Sequence, residues 1–198
     1  MDRNEIDFFD RLSDHWDDDE VLSTPEKVRE VLSHFAIAPG MDILDLGTGT
    51  GVLIPYLSEL IGESGKIAAV DISDGMLVNA IIKFGNLPNV KFYKKDFEEE
   101  ALEGEYDRII LYCVYPHLHE PEDTLKRLMR DNLKPGGCIF IAFPTDEKFI
   151  NNIHGERKAE SDLLPPAETL AGRFREWGLD ATTVAYSPEM YIVGIRKN

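Results

Sequence analysis

Met41 to Leu57, MDILDLGTGTGVLIPYL, constrains this chain more than any other stretch. Ile43, Leu44 and Leu46 read as a buried strand, Gly47, Gly49 and Gly51 follow, and Val52, Leu53, Ile54, Tyr56 and Leu57 open an amphipathic helix. Strand, glycine turn and helix together bring backbone N–H groups and a helix N-terminus up to a ligand. Glycine suits the turn because the chain must pass through positive φ, and because a Cβ would block close approach.

The turn departs from the dinucleotide fingerprint G-x-G-x-x-G. Its third glycine comes one residue early, and Val52 stands where that fingerprint wants glycine. Asp45 lies on the strand two residues before Gly47. A carboxylate repels a pyrophosphate but favours a cation. The D-x-G-x-G-x-G pattern therefore points to a cationic ligand without phosphate, and S-adenosylmethionine, with its sulfonium and ammonium, fits. A second acid, Asp71, ends the apolar run Ile67–Val70, about 20 residues beyond the turn, where a carboxylate can accept ribose hydroxyls. Asp71 alone leaves the choice between a nicotinamide and an adenosyl ligand open.

The chain resembles the class I S-adenosylmethionine-dependent methyltransferases in LDLGTGTG, AVDIS, KKDFEE, YDRIILYCVYPHL and LKPGG, which fall in order between residues 24 and 144. The likeness leans toward the group that acts on small molecules in ubiquinone and menaquinone biosynthesis. It implies an α/β, Rossmann-like, doubly wound sheet of seven mostly parallel strands, the last antiparallel, with helices on both faces. LDATTVAYS and MYIVGIRK, joined at Pro188-Glu189, agree: two strands with no helix between them pair antiparallel. The resemblance also implies a cofactor site of Asp45, Gly47, Thr48, Gly49 and Gly51. It gives the ribose to Asp71 and the adenine border to Ile72 and Met76. Asp96, with its neighbour Phe97, would read the adenine amino group. Leu111 and Tyr112 would meet the cofactor at the end of the fourth strand.

FFDRLSDHWDD, in a helix over residues 5–16, is similar to the family's N-terminal segment, where an aromatic covers the cofactor. Trp16 is the candidate; pinning the helix to the core is the alternative. Ser23 and Glu26 suggest a capping box for the next helix. Helices are expected over 51–62, 74–85, 121–133 and 166–177, and strands over 67–71, 90–93 and 138–143. One domain is expected: an N-terminal cap (1–23), a cofactor core (24–144), a substrate lid (145–165), and a closing helix and strand pair (166–198).

Methyl transfer needs a base only when the acceptor is protonated. His117, His119 and His154 are candidates because imidazole titrates near neutrality. His117 and His154 are preferred as catalytic; packing is the bland reading of His117. A metal site from His117, His119, His154 and Glu156 matches no specific ligand spacing, so none is expected. Cys113 reads as a small buried hydrophobe rather than a nucleophile.

The formal net charge of −16 repels nucleic-acid phosphates and anionic lipid. The expected partner is a small-molecule acceptor, with neither nucleic acid nor membrane, and a homodimer stays open. Two cysteines, both assigned to buried strands, and an acidic N-terminus without a secretory pattern suggest a cytoplasmic protein. Two other functions compete: a nicotinamide-dependent oxidoreductase and a non-catalytic cofactor-binding regulator on the same fold.

Overall fold

A computed structural model describes residues 3–13, 24–154 and 163–198. Its elements in chain order are α1 (Arg3–Leu12), α2 (Pro25–Ser33), β1 (Asp42–Leu46), α3 (Ile54–Ile61), β2 (Lys66–Asp71), α4 (Asp74–Phe84), β3 (Val90–Lys94), β4 (Tyr106–Tyr112), α5 (Pro121–Arg127), β5 (Leu133–Phe143), α6 (Glu147–His154), α7 (Ala167–Glu176), β6 (Asp180–Ser187) and β7 (Met190–Arg196). The strands form one sheet in the order β3-β2-β1-β4-β5-β7-β6. Strands β1 to β5 run parallel, and β7 is antiparallel to both of its neighbours.

The central strands are apolar along their length because both faces are covered. Ile109 and Leu111 of β4 and Ile139, Ile141 and Phe143 of β5 pack with Leu125, Leu170 and Phe174 on one face. Ile110, Phe140 and Ala142 pack with Val28, Leu32, Leu57 and Ile61 on the other. The strand order reverses between β1 and β4, with β2 and β3 on one side and β4 and β5 on the other. Open α/β sheets bind their ligands at such a switch point, beyond the carboxyl ends of the strands.

Several boundaries differ from the sequence expectation. Thr24 caps α2, its Oγ1 accepting from Lys27 N, while Ser23 of the expected capping box lies outside the described residues. Helix α3 starts at Ile54 because Thr48–Gly51 closes its own turn first, Gly51 N donating to Thr48 O. Helix α5 gives way after Arg127 to a wider π-turn over Leu128–Asn132, which sets the Asn132 amide where it donates to Leu102 O and Gly104 O. LKPGG forms the bulged first part of β5, which therefore begins at Leu133 rather than at residue 138. Lys197, beyond β7, holds it, through Gly136 N to Lys197 O and Lys197 N to Gly137 O. Cys138 lies in β5, but Cys113 falls just past β4 at φ +59°, and both are half-buried. Among residues 145–165, where no helical period is visible, α6 forms. No described helix is long and apolar enough to cross a membrane.

Candidate active site

The glycine turn leaves the end of β1 between the ends of β2 and β4. Gly47, Gly49 and Gly51 all have positive φ, at +67°, +56° and +86°. Their needs differ. A Cβ at Gly47 would lie 2.4 Å from the Val114 side chain, and one at Gly51 would lie 2.8 Å from Phe84. A Cβ at Gly49 would meet no protein atom within 4 Å, so the backbone there is open on the side where a side chain would project. Beyond the turn, no side chain caps α3. Its first N–H groups keep the polarity that attracts negatively charged groups and hydrogen-bond acceptors.

Two acids bracket the turn. Asp45, 1 % exposed, accepts a hydrogen bond from Thr48 Oγ1 at 2.7 Å. Burial pushes its carboxyl up to about 7; the Thr48 hydroxyl opposes the rise, and the Asp71 charge adds to it. Asp71, at the tip of β2, reaches back to the turn. Its Oδ2 accepts from Gly49 N at 2.7 Å and its Oδ1 from Ser73 N at 2.9 Å. Burial raises its pKa, against those backbone N–H groups. Gly49 N and Ser73 N thus aim the two Asp71 oxygens, with the Ile72 N–H acting on the same carboxylate. That is what a carboxylate needs to take a pair of vicinal hydroxyls.

Ser73 caps α4, its Oγ accepting from Met76 N. Ile72 is half-buried beside it and Met76 is buried. Asp96 is half-buried; its Oδ1 accepts from Glu98 N, which folds the loop after β3 on itself. Phe97 is buried in the core, and Arg127 donates to its carbonyl. Glu98 ties this loop to the segment after β4 by accepting from the backbone N–H groups of His119 and Glu120. Leu111 is fully buried, so what it offers a ligand is backbone. Tyr112 points to the opposite face, and burial raises its hydroxyl pKa. Burial also pushes the Cys113 thiol up to about 12, which keeps it protonated and a poor nucleophile.

His117 closes a short 3-10 turn, Tyr115–His117, and its ring meets Phe9 edge-on at 5.2 Å. His119 is exposed and turned toward Glu98, 3.4 Å away. His154 ends α6, but its side chain, like Trp16 and Glu156, lies outside the described residues. Among the described residues no group of His, Cys, Asp or Glu is arranged to hold a metal ion.

In the sequence Asp10 is one acid among the aromatics of FFDRL, with no pattern that marks it as functional. In the structure it docks on the N-terminus of α4, beside Asp71. A signal was present in Gly75: a glycine in the first turn of an otherwise regular helix is costly unless something must come close.

Residues 37–183 match the model of a methyltransferase domain family. A malonyl-[acyl-carrier protein] O-methyltransferase of Anoxybacillus flavithermus is 29% identical over 125 residues, 63% of this chain and 48% of the relative. A ubiquinone/menaquinone biosynthesis C-methyltransferase of Azotobacter vinelandii is 33% identical over 106 residues, 52% of this chain and 42% of the relative. The chain thus spans less than half the length of these curated relatives. A SAM-dependent methyltransferase structure from Aquifex aeolicus superposes with a TM-score of 0.68 at 24% identity, covering 99% of this chain and 97% of the other. DhpI in complex with SAH does so with a TM-score of 0.75 at 20% identity, covering 98% and 95%. With the family match over residues 37–183 and a glycine turn clasped by two acids at the switch point, the chain belongs to the class I S-adenosylmethionine-dependent methyltransferase family.

Proposed function

We propose that the protein transfers a methyl group from S-adenosylmethionine to a small-molecule acceptor at the C-terminal edge of the sheet. The observation that carries the reading is the clasp of Asp71 on Gly49 N, with Asp45 buried beneath the same turn. In this reading Asp71 takes the ribose hydroxyls, and the backbone of Gly47, Thr48, Gly49 and Gly51 gives the cofactor close approach. Asp45 supplies negative charge toward its cationic end. Asp96 accepts from the adenine amino group, bordered by Phe97, Ile72 and Met76, while the end of β4 at Leu111 and Tyr112 faces the methionine part.

When bound, S-adenosylmethionine supplies a methyl carbon on a sulfonium that an acceptor nucleophile displaces in line. The protein's part is to fix the approach and exclude water, which can provide much of the rate. For a protonated acceptor, His117, from the turn after β4, is the first candidate base. His154 is a second candidate from α6.

The net charge of −16 supports a small acceptor that is neutral or cationic over a nucleic acid. The Azotobacter relative is named for ubiquinone and menaquinone biosynthesis, which supports a quinol-like ring as the first class to try. The Anoxybacillus relative is named for an acyl-carrier-bound acid, which makes a carrier-tethered acceptor the second class. We propose a cytoplasmic setting from the reduced cysteines, and keep a homodimer as an option.

The test is turnover. Purified protein is incubated with S-adenosylmethionine and panels of hydroquinones, amines, thiols and carboxylic acids, and products are read by mass. A methylated product, lost in Asp71→Ala, supports the reading. Tight cofactor binding with no methylated product from any panel favours the non-catalytic regulator instead.

A further inference from the structure

Glu147 opens α6 just past β5, at the same edge of the sheet as the glycine turn. Phe143 ends β5, and its antiparallel pairing with Tyr191 brings the start of β7 and the end of β6 to that edge. Tyr112 pairs with Ala142 of β5. This corner therefore lies one strand beyond the strand end assigned to the methionine part of the cofactor.

Glu147 is 5 % exposed. Its one described donor is the Tyr186 hydroxyl, 2.9 Å from both Oε1 and Oε2. A single O–H shared between two oxygens leaves most of a carboxylate's acceptor capacity unfilled. The N-terminus of α6 favours negative charge, but the Phe149 N–H of its first turn donates to Asp146 Oδ1 instead. No described lysine, arginine or histidine pairs with Glu147. Arg173 of α7 acts on the Tyr115 and Tyr191 hydroxyls. A buried carboxylate ordinarily has a cation or several donors beside it.

The walls around it are aromatic. The Tyr186 and Tyr191 rings stand at 85° with centroids 6.1 Å apart, and Phe143 meets Tyr191 at 88° and 5.6 Å. Tyr115, from the turn that also carries His117, reaches the same group. Burial raises the Tyr191 hydroxyl pKa, and Tyr115, Glu147 and Tyr186 add to the rise. A carboxylate in a corner of aromatic rings suits an organic ammonium, whose N–H groups meet the oxygens while its charge faces the rings. Tyr191 is fully buried, whereas Tyr186 is 48 % exposed, so Tyr186 is the wall free to swing aside.

We propose that Glu147 anchors an ammonium group of the methyl acceptor, which takes the place of the Tyr186 hydroxyl, so that the acceptors are amino-bearing small molecules. Calling the bound cation the acceptor rests on the methyl-transfer reading above; the cation site itself does not. The charge of −16 draws cations toward the molecule as a whole.

The full chain, Glu147→Gln and Tyr186→Phe are titrated by calorimetry with phenethylammonium and with uncharged 2-phenylethanol, each with and without S-adenosylhomocysteine. The wild type should hold the ammonium more tightly than the alcohol. Glu147→Gln should weaken the ammonium about tenfold and leave the alcohol unchanged. Tyr186→Phe removes the competing donor and should tighten the ammonium. In turnover of amines, Glu147→Gln should raise KM about tenfold and keep kcat within about twofold, as expected for an anchor away from the reacting atoms. Equal affinity for the two probes, binding of neither, or ammonium binding untouched by Glu147→Gln would overturn the site and make Glu147 a structural tie between α6 and β6. Methylated hydroquinones with no methylated amine would overturn the acceptor class. A wild type that holds the ammonium but no adenosyl compound would overturn the methyl-transfer reading and leave the cation site standing.

Discussion

Asp45 holds its carboxyl 1 % exposed at the end of the central strand, where burial raises its pKa from the ordinary 3.8 to about 7. Between those two pH values the folded chain keeps a proton that the unfolded chain has lost. The contribution is fully present below the lower value and is lost as pH rises through the upper one. The interval corresponds to about 4 kcal/mol as an upper bound. Asp45→Asn should therefore flatten the fall in melting temperature between pH 5 and pH 8 (about 1.4 kcal/mol per pH unit at most). An equal slope in the variant would show that Asp45 does not titrate there.

A bound cation reverses the balance by favouring the ionised form. S-adenosylmethionine binding should strengthen by up to about tenfold per pH unit on rising toward pH 7. It should also release a proton, seen as a buffer-dependent heat in calorimetry and absent in Asp45→Asn. Thr48→Val removes the only described donor to Asp45 Oδ2. It should cost about 1–3 kcal/mol of stability, more at pH 8 than at pH 5, because the charged carboxylate needs the hydrogen bond more.

At the scale of elements, the glycine turn allows a comparison of neighbouring positions. Gly47→Ala meets both a positive φ and the Val114 side chain, whereas Gly49→Ala meets only the φ. Gly47→Ala should be the more destabilising, by about 2 kcal/mol or more, and Gly49→Ala should cost about 1 kcal/mol. Cofactor affinity should fall further in Gly49→Ala than its stability does, since its Cβ projects into the open side of the turn. Chemical denaturation and calorimetry on the two variants check both halves. A second element, the loop after β3, is clamped by Glu98 on the backbone of His119 and Glu120. Glu98→Ala should weaken adenosyl binding about threefold to tenfold while moving the melting temperature little, as expected for a loop that opens locally.

Local pattern explains what could be read at this scale. The parallel strands announce themselves as apolar runs, and the turn as glycines beside an acid, because those features follow from the backbone of each segment alone. Asp71 was legible for the same reason: it ends a strand at a fixed distance from the turn. Asp10 and Glu98 were not. Each acts on backbone far away in sequence, Asp10 on residues 73–75 and Glu98 on residues 119–120, and a charged side chain carries no local mark of such a partner. The first part of β5 was missed similarly, because its pairing depends on Lys197 at the far end of the chain.

Across the whole molecule, the formal charge of −16 sets the tone. Like charges repel in the compact state, and salt screens them within about 10 Å at 0.1 M. Raising ionic strength from about 0.01 M to about 0.1 M should therefore raise the melting temperature. Wild-type chain should show no retention on a polyanion matrix at either ionic strength. A melting temperature that falls with salt would mean that attractive pairs, such as Lys134 with Asp42 and Asp107, outweigh the repulsion.

In the proposed function, two acids and a glycine turn at the end of β1 hold an adenosyl cofactor. Calorimetric titration of S-adenosylmethionine, S-adenosylhomocysteine and NADH into the wild type, Asp71→Ala and Asp45→Asn tests it most directly. Both adenosyl compounds should bind the wild type, and NADH should not. Asp71→Ala should weaken both compounds together, and Asp45→Asn should weaken the cationic sulfonium form more than its demethylated product. NADH binding in place of the adenosyl compounds, or adenosyl binding untouched by Asp71→Ala, would contradict it.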